Sequence, residues 1–181
     1  SGCWYVHLGI ESGNQRTLDG INKRIELKDV ESTCKLLKKY NIKVLALFML
    51  FNVWEENGRL AYEDAEMTMN TLNFAWKLVK NNLADYIGWS ITTPYPGSRL
   101  YDIALKHNLL NHAFRDNWES WQKEGLFVMD LAGVRIIDRN TIKLKGEILR
   151  IMCLLRKKYF KLKDVSFLIR RAFHIFKYSA K

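Results

Sequence analysis

The chain has 181 residues, 48% of them hydrophobic and 27% charged, with 29 Lys+Arg against 19 Asp+Glu for a formal net charge of +10. So much apolar side chain excludes a disordered tail, because its burial can offset the entropy of ordering the backbone. A spanning helix is excluded too: the longest apolar run, Val44 to Trp54 broken by Asn52, falls short of the ~20 residues a crossing needs.

Trp4 to Ile10 reads as a strand of aromatic and β-branched residues ending in the glycine-bracketed segment Gly9-Ile10-Glu11-Ser12-Gly13. Val30, Cys34 and Leu37 recur at helical spacing and predict an amphipathic helix over Asp29 to Tyr40. Ile42 to Phe51 is so continuously apolar that it predicts a strand buried on both faces. A polar connection, Asn52 to Asp64, leads to a long helix from about Tyr62 to Asn81, with Met69, Leu72, Ala75, Trp76 and Val79 as its buried stripe.

Tyr86 to Thr93 reads as a third strand, stopped by Pro94-Tyr95-Pro96-Gly97, which holds both prolines of the chain. Ser98 can cap a helix over Arg99 to His107. Beyond an apolar stretch from Gly125 to Ile137, one helix is predicted from Thr141 to Phe160, with Ile148, Leu149, Met152, Leu155 and Tyr159 on one side. Another is predicted from Val165 to Tyr178.

Strands alternating with helices imply parallel pairing through right-handed crossovers. Three such units are half of a barrel, and an eight-unit barrel takes ~250 residues. The expected architecture is therefore α/β: the second half of a partial, TIM-like (β/α) barrel over residues 1–110, then a basic, mostly helical extension over 111–181. The start at Ser1-Gly2-Cys3, with neither initiator Met nor signal-peptide pattern, reads as internal. Cys3, Cys34 and Cys153 lie far apart, so neither a disulfide framework nor a metal knuckle is expected, and a reducing, cytoplasmic setting is.

The charge is unevenly placed. Residues 139–181 hold 13 basic and two acidic side chains, a net +11, which leaves −1 over residues 1–138. Two readings stay open for that tail. It is the solvated face of a helical extension, or a surface for an anionic membrane, nucleic acid or acidic partner.

Ligands of parallel α/β domains bind at the carboxyl ends of the strands. Gly9 to Gly13, Phe48 to Glu56 and Thr92 to Gly97 all fall there. Glu11 offers a carboxylate to hydroxyl or amino groups, and Ser12 a short donor and acceptor. His7 is open between packing and a role as substrate-side acid or base. Trp54, Trp89, Trp118 and Trp121 are open between core and pocket lining.

In this order the three segments resemble one family. Val6-His7-Leu8-Gly9-Ile10-Glu11-Ser12-Gly13-Asn14-Gln15, with Leu18 and Ile21-Asn22-Lys23 after it, resembles the fourth strand and following helix of the radical S-adenosylmethionine (SAM) enzymes. The likeness is closest to their cobalamin-binding branch. Tyr40 through Leu50 is similar to that family's fifth strand, and Thr93-Pro94-Tyr95-Pro96-Gly97-Ser98 with Leu100, Tyr101 and Ala104 to its sixth-strand signature.

The resemblance implies a SAM-cleaving enzyme with a 4Fe-4S cluster, an electron donor and, in that branch, cobalamin, acting on a small or lipid-like substrate. It makes Glu11 and Ser12 contacts of the ribose or methionine part of SAM. It sets Leu50 to Asn52 toward the adenosine, and Thr93 to Tyr95 at the adenine edge. The cluster cysteines are not in this chain, and Asn52 to Gly58 replaces the family's glycine- and proline-containing turn. No specific nucleic acid is expected, and residues 139–181 are the expected contact with a membrane. The competing reading is a non-catalytic α/β scaffold whose basic tail binds an anionic surface or partner.

Overall fold

The computed structural model describes residues 2–111 and 127–156. Its elements in chain order are β1 (Tyr5–Glu11), α1 (Gln15–Gly20), α2 (Leu27–Lys39), β2 (Lys43–Leu50), β3 (Val53–Glu56), β4 (Arg59–Tyr62), α3 (Ala65–Lys80), β5 (Tyr86–Ile91), α4 (Arg99–Lys106) and α5 (Ile136–Leu155). The three predicted strands are β1, β2 and β5. They form one parallel sheet in the order β1-β2-β5, with Val6 opposite Val44 and Leu47 opposite Gly88.

Both crossovers run the same way across the sheet, so the right-handed rule sets α2 and α3 on one face. Val44, Ala46, Phe48 and Leu50 of β2 are buried there, together with Ile87, Trp89 and Ile91 of β5. Phe74 of α3 meets Phe48 edge-on, with ring centroids 6.5 Å apart. At the amino ends of the strands, Asp85 accepts from the Val44 amide (2.8 Å) and from Lys38.

The expectation that Ile42 to Phe51 is buried on both faces is corrected. Along β2 burial alternates, and Leu45, Leu47 and Met49 are only half-buried on the second face. Their neighbours there are Tyr5, His7, Tyr86 and Ser90, of which His7 and Ser90 are exposed. Parallel sheets are ordinarily covered on both sides. Here the helices leave one face open among the described residues.

The polar connection is a second departure. Residues 53–62 form an antiparallel hairpin, β3 and β4, and Tyr62 belongs to it and not to the helix that follows. Trp54 is buried against Gly20 of α1, and Glu55 bonds Lys106 and His107 at the end of α4. The hairpin thus joins α1 to α4 across the carboxyl ends of the sheet. Asp64 caps α3 by accepting from the Met67 amide (2.8 Å), and Ser98 caps α4 as expected.

Helix α5 packs on β5 and α3, but through another side than its spacing suggested. Ile142, Gly146 and Cys153 are buried together with Leu149 of the expected stripe, whereas Ile148 and Leu155 of that stripe are exposed. The contact is set by Trp89, with Arg150 stacked 4.4 Å from its ring and bonded to Glu147. The predicted helix over Val165 to Tyr178, with Trp118 and Trp121, lies outside the described residues.

Two predictions follow from these contacts. A methyl on Gly146 would sit 2.6 Å from the Trp89 indole, which has no soft end to yield. Gly146→Ala gains ~1 kcal/mol of helix propensity but meets an overpacking cost of about 1–3 kcal/mol. The expected net result is a lower melting temperature by thermal denaturation, with a larger drop for Gly146→Val. At Glu55, bonds to Lys106 and then to His107 hold the carboxyl below its ordinary value of 4.5. Their contribution is full above that value and lost as pH falls through the lowered one. The acid limb of a stability–pH curve should therefore flatten in Glu55→Gln.

Candidate functional site

Two residues at the strand ends have backbones that their side chains do not favour. Glu11 (φ +69°) ends β1 and Phe51 (φ +62°) follows β2, both in the left-handed region. Among the described residues, the other non-glycine residues with positive φ are asparagines and Arg24. A bulky residue there is uncommon and persists only where its surroundings impose it, a condition met most often at functional sites. At Glu11 the Ser12 amide donates back to the Ile10 carbonyl (2.9 Å), a γ-turn of the rarer, strained kind that coincides with a register shift against β2.

That turn folds the Glu11 side chain back over the open face of β1. Its Oε1 accepts from Lys23 Nζ at 2.8 Å, and the two side chains are 25% and 32% exposed. Gly9 lies beneath the pair: a methyl there would come within 2.9 Å of the carboxylate and 3.4 Å of the ammonium. An ion pair this accessible contributes ~0–1 kcal/mol to stability. Its charges remain available to a ligand lying on Leu45, Leu47 and Met49.

Behind the pair is a closed polar network. Ser12 and Glu63 are 0% exposed, and Ser12 Oγ donates to Glu63 Oε1 at 2.5 Å. Asn14 Nδ2 bonds Met67 O (2.7 Å), Thr71 Oγ1 (3.1 Å) and Glu63 Oε1 (3.2 Å), while the Gly13 amide donates to Thr71 Oγ1 (3.0 Å). On the other side Glu63 Oε2 accepts from both the amide and Nδ2 of Asn52, each at 3.1 Å. Thr92 Oγ1 reaches Asn52 Oδ1 at 3.4 Å. One bonded chain therefore runs from the end of β1 through β2 to the end of β5.

Of the sequence candidates, Glu11 alone combines charge, access and the open face. Ser12 and Asn52 are brought together through Glu63, and both side chains are committed to protein partners. Thr93 is half-buried and Tyr95 is 55% exposed, beyond the end of β5. The Tyr95 amide donates to the Thr93 carbonyl (3.1 Å) across Pro94, and Ser98 Oγ donates to the Tyr95 carbonyl (2.6 Å), so this turn is held from within. His7 is exposed beside Tyr5, with ring centroids 4.9 Å apart. Trp54 and Trp89 are core residues.

Glu63 and Thr71 escape the sequence reading. Glu63 directly precedes the helix cap Asp64, where an acidic residue reads as part of a helix start, and two of its partners, Ser12 and Asn14, lie 51 and 49 residues away in sequence. Cys34 and Cys153 are buried, which pushes both thiols up, and Cys3 is exposed. Among the described residues no three His, Cys, Asp or Glu side chains group as a metal site. No helix among them is long and apolar enough to cross a membrane.

No family model matches the chain. Over 120 residues, 66% of its length, it is 33% identical to an uncharacterized methyltransferase of Pyrococcus horikoshii. The chain spans 23% of that protein, about a quarter of its length.

Proposed function

We propose that this chain forms part of the SAM site of a methyltransferase, and that the enzyme is of the radical SAM class with its β1, β2 and β5 as one side of a partial barrel. The observation that carries the reading is the accessible Glu11–Lys23 pair at the carboxyl end of a half-open, apolar sheet face. SAM has matching chemistry: a flat apolar base, two ribose hydroxyls, and a methionine end with an ammonium and a carboxylate. The base suits the floor of Leu45, Leu47 and Met49. Glu11 accepts from hydroxyl or ammonium, and Lys23 balances the carboxylate. The likeness to a methyltransferase supports the same reading.

The residues described here do not fit a 4Fe-4S cluster, which needs thiolates gathered in one place. No residue of the chain is assigned to a cluster or to cobalamin, and this chain's part in the reaction is to bind and orient SAM.

The test uses the full-length product of the gene, purified anaerobically, with iron and sulfide restored, a reductant, SAM and cobalamin. S-adenosylhomocysteine or 5′-deoxyadenosine should form, and formation of neither overturns the proposal. S-adenosylhomocysteine without iron would retain the methyltransferase and remove the radical class. Glu11→Ala should weaken SAM binding about tenfold by calorimetry, the scale of one charge-assisted hydrogen bond, with little change in melting temperature. Unchanged affinity would remove Glu11 from the site.

One further feature favours a place of action at a membrane. Ile137, Leu144, Ile148 and Leu155 are exposed on the side of α5 opposite its core residues, at the start of the +11 segment. Apolar side chains on an in-plane helix suit a lipid surface, and the net charge of residues 139–181 suits an anionic one. The protein should co-sediment with phosphatidylglycerol vesicles but not phosphatidylcholine ones, less so as salt rises, and Leu144→Glu/Ile148→Glu should abolish it. Binding unaffected by that substitution, or no binding, overturns this reading.

A further inference from the structure

We propose that Glu63 is the positioning residue of the site: its buried carboxylate holds Glu11 in the conformation in which Glu11 meets SAM. The inference rests on the SAM reading above and adds the residue through which the fold enforces it. Glu63 has no exposed surface, and each of its hydrogen-bond donors is neutral: the hydroxyls of Ser12 and Thr71, the side-chain amides of Asn14 and Asn52, and the Asn52 backbone amide. Burying a carboxylate is costly unless its lone pairs are filled, so the position has a structural demand that a neutral residue does not meet.

That demand is visible in what the two oxygens hold. Oε1 takes Ser12, the residue after left-handed Glu11. Oε2 takes Asn52, the residue after left-handed Phe51. One side chain therefore fixes the chain directly beyond both strained residues, and strained backbone persists where neighbours over-determine it. Only a carboxylate accepts on both oxygens. A glutamine of the same shape turns an NH2 toward one side, where it meets a donor already in place. Release of either side frees a turn: the one that folds Glu11 over Gly9, or the one that carries the chain from β2 to the hairpin.

The backbone agrees. The Glu63 amide donates to the Asn52 carbonyl at 2.8 Å, so the side chain and main chain of one residue both grip the end of β2. Glu63 itself lies under the turn, without access to a ligand, and acts through Glu11.

The test measures SAM affinity by calorimetry in the full-length protein, at a temperature where each variant is folded by circular dichroism. Glu63→Gln is expected to weaken SAM about tenfold, equivalent to ~1.4 kcal/mol. Leu78→Ala, a buried α3 residue away from the strand ends, supplies a variant destabilised without effect on affinity. Thr71→Val removes a hydroxyl that bonds the same turn and should weaken SAM about threefold, which keeps the test open where Glu63→Gln does not fold. Affinity unchanged in Glu63→Gln, or in Thr71→Val if that variant alone folds, overturns the inference while the SAM reading stands. An equal loss in Leu78→Ala also overturns it. A wild-type protein that binds neither SAM nor S-adenosylhomocysteine overturns the SAM reading and the inference with it.

Discussion

The carboxyl ends of three parallel strands have to be held at one level if a ligand is to lie across them, and in this chain a buried carboxylate does the holding. Ser12, Asn52 and Thr92 follow β1, β2 and β5 in turn, and Glu63 with Asn52 bonds them into one chain of contacts. The energetics are asymmetric. Each bond contributes ~1 kcal/mol net, but a donor left empty at this depth costs about 1–3 kcal/mol. The network is therefore either complete or strongly penalised. That property suits a part whose purpose is geometry.

Above this network the sheet has two unlike faces. One is filled by α2, α3 and α5 with Val44, Ala46, Phe48, Leu50 and Trp89. The other carries Leu45, Leu47 and Met49 half-buried, with His7 and Ser90 exposed and the Glu11–Lys23 pair at one end. An apolar floor with a single dipolar end is a surface with a direction, and it suits a ligand whose own polarity runs from one end to the other. The polar network faces the packed side and the ion pair the open side, so the strained turn at Glu11 divides structure from access.

Strand and helix order was legible in the sequence because it depends on local pattern. The β-branched and aromatic run at the start of the chain, the spacing of Val30 and Cys34, and the Pro94-Tyr95-Pro96-Gly97 stop each state a local preference that the fold keeps. Burial was less legible. Ile42 to Phe51 is apolar throughout, and apolar content alone does not distinguish a covered face from one left half-open. In α5, Ile148 and Leu155 match the helical period as well as Ile142 and Cys153 do, and the side that packs is chosen by the notch at Gly146 for Trp89, a contact about 57 residues distant. Within the candidate site, Glu11 was legible from its place after a strand. Glu63 was not, because its partners come from segments that only the fold brings together.

The hairpin shows how an excursion from the sheet can be accepted at a demanding place. Residues 53–62 leave the sheet at Asn52 and return at Glu63, and these two residues are hydrogen-bonded to each other at 2.8 Å. The chain thus re-enters where it left, so the hairpin's length is of little consequence to the sheet beneath it. What the hairpin changes lies outward of the network: Trp54 seats on Gly20, and Glu55 reaches Lys106 and His107, so that α1 and α4 are braced against each other. The helix after β1 carries the connection to Lys23, and the helix after β5 follows the Thr93–Tyr95 turn. A brace between them limits relative movement of two borders of the site, while Glu63 fixes its base. The hairpin and the buried carboxylate are therefore complementary parts of one constraint, the first acting on the helices and the second on the strands.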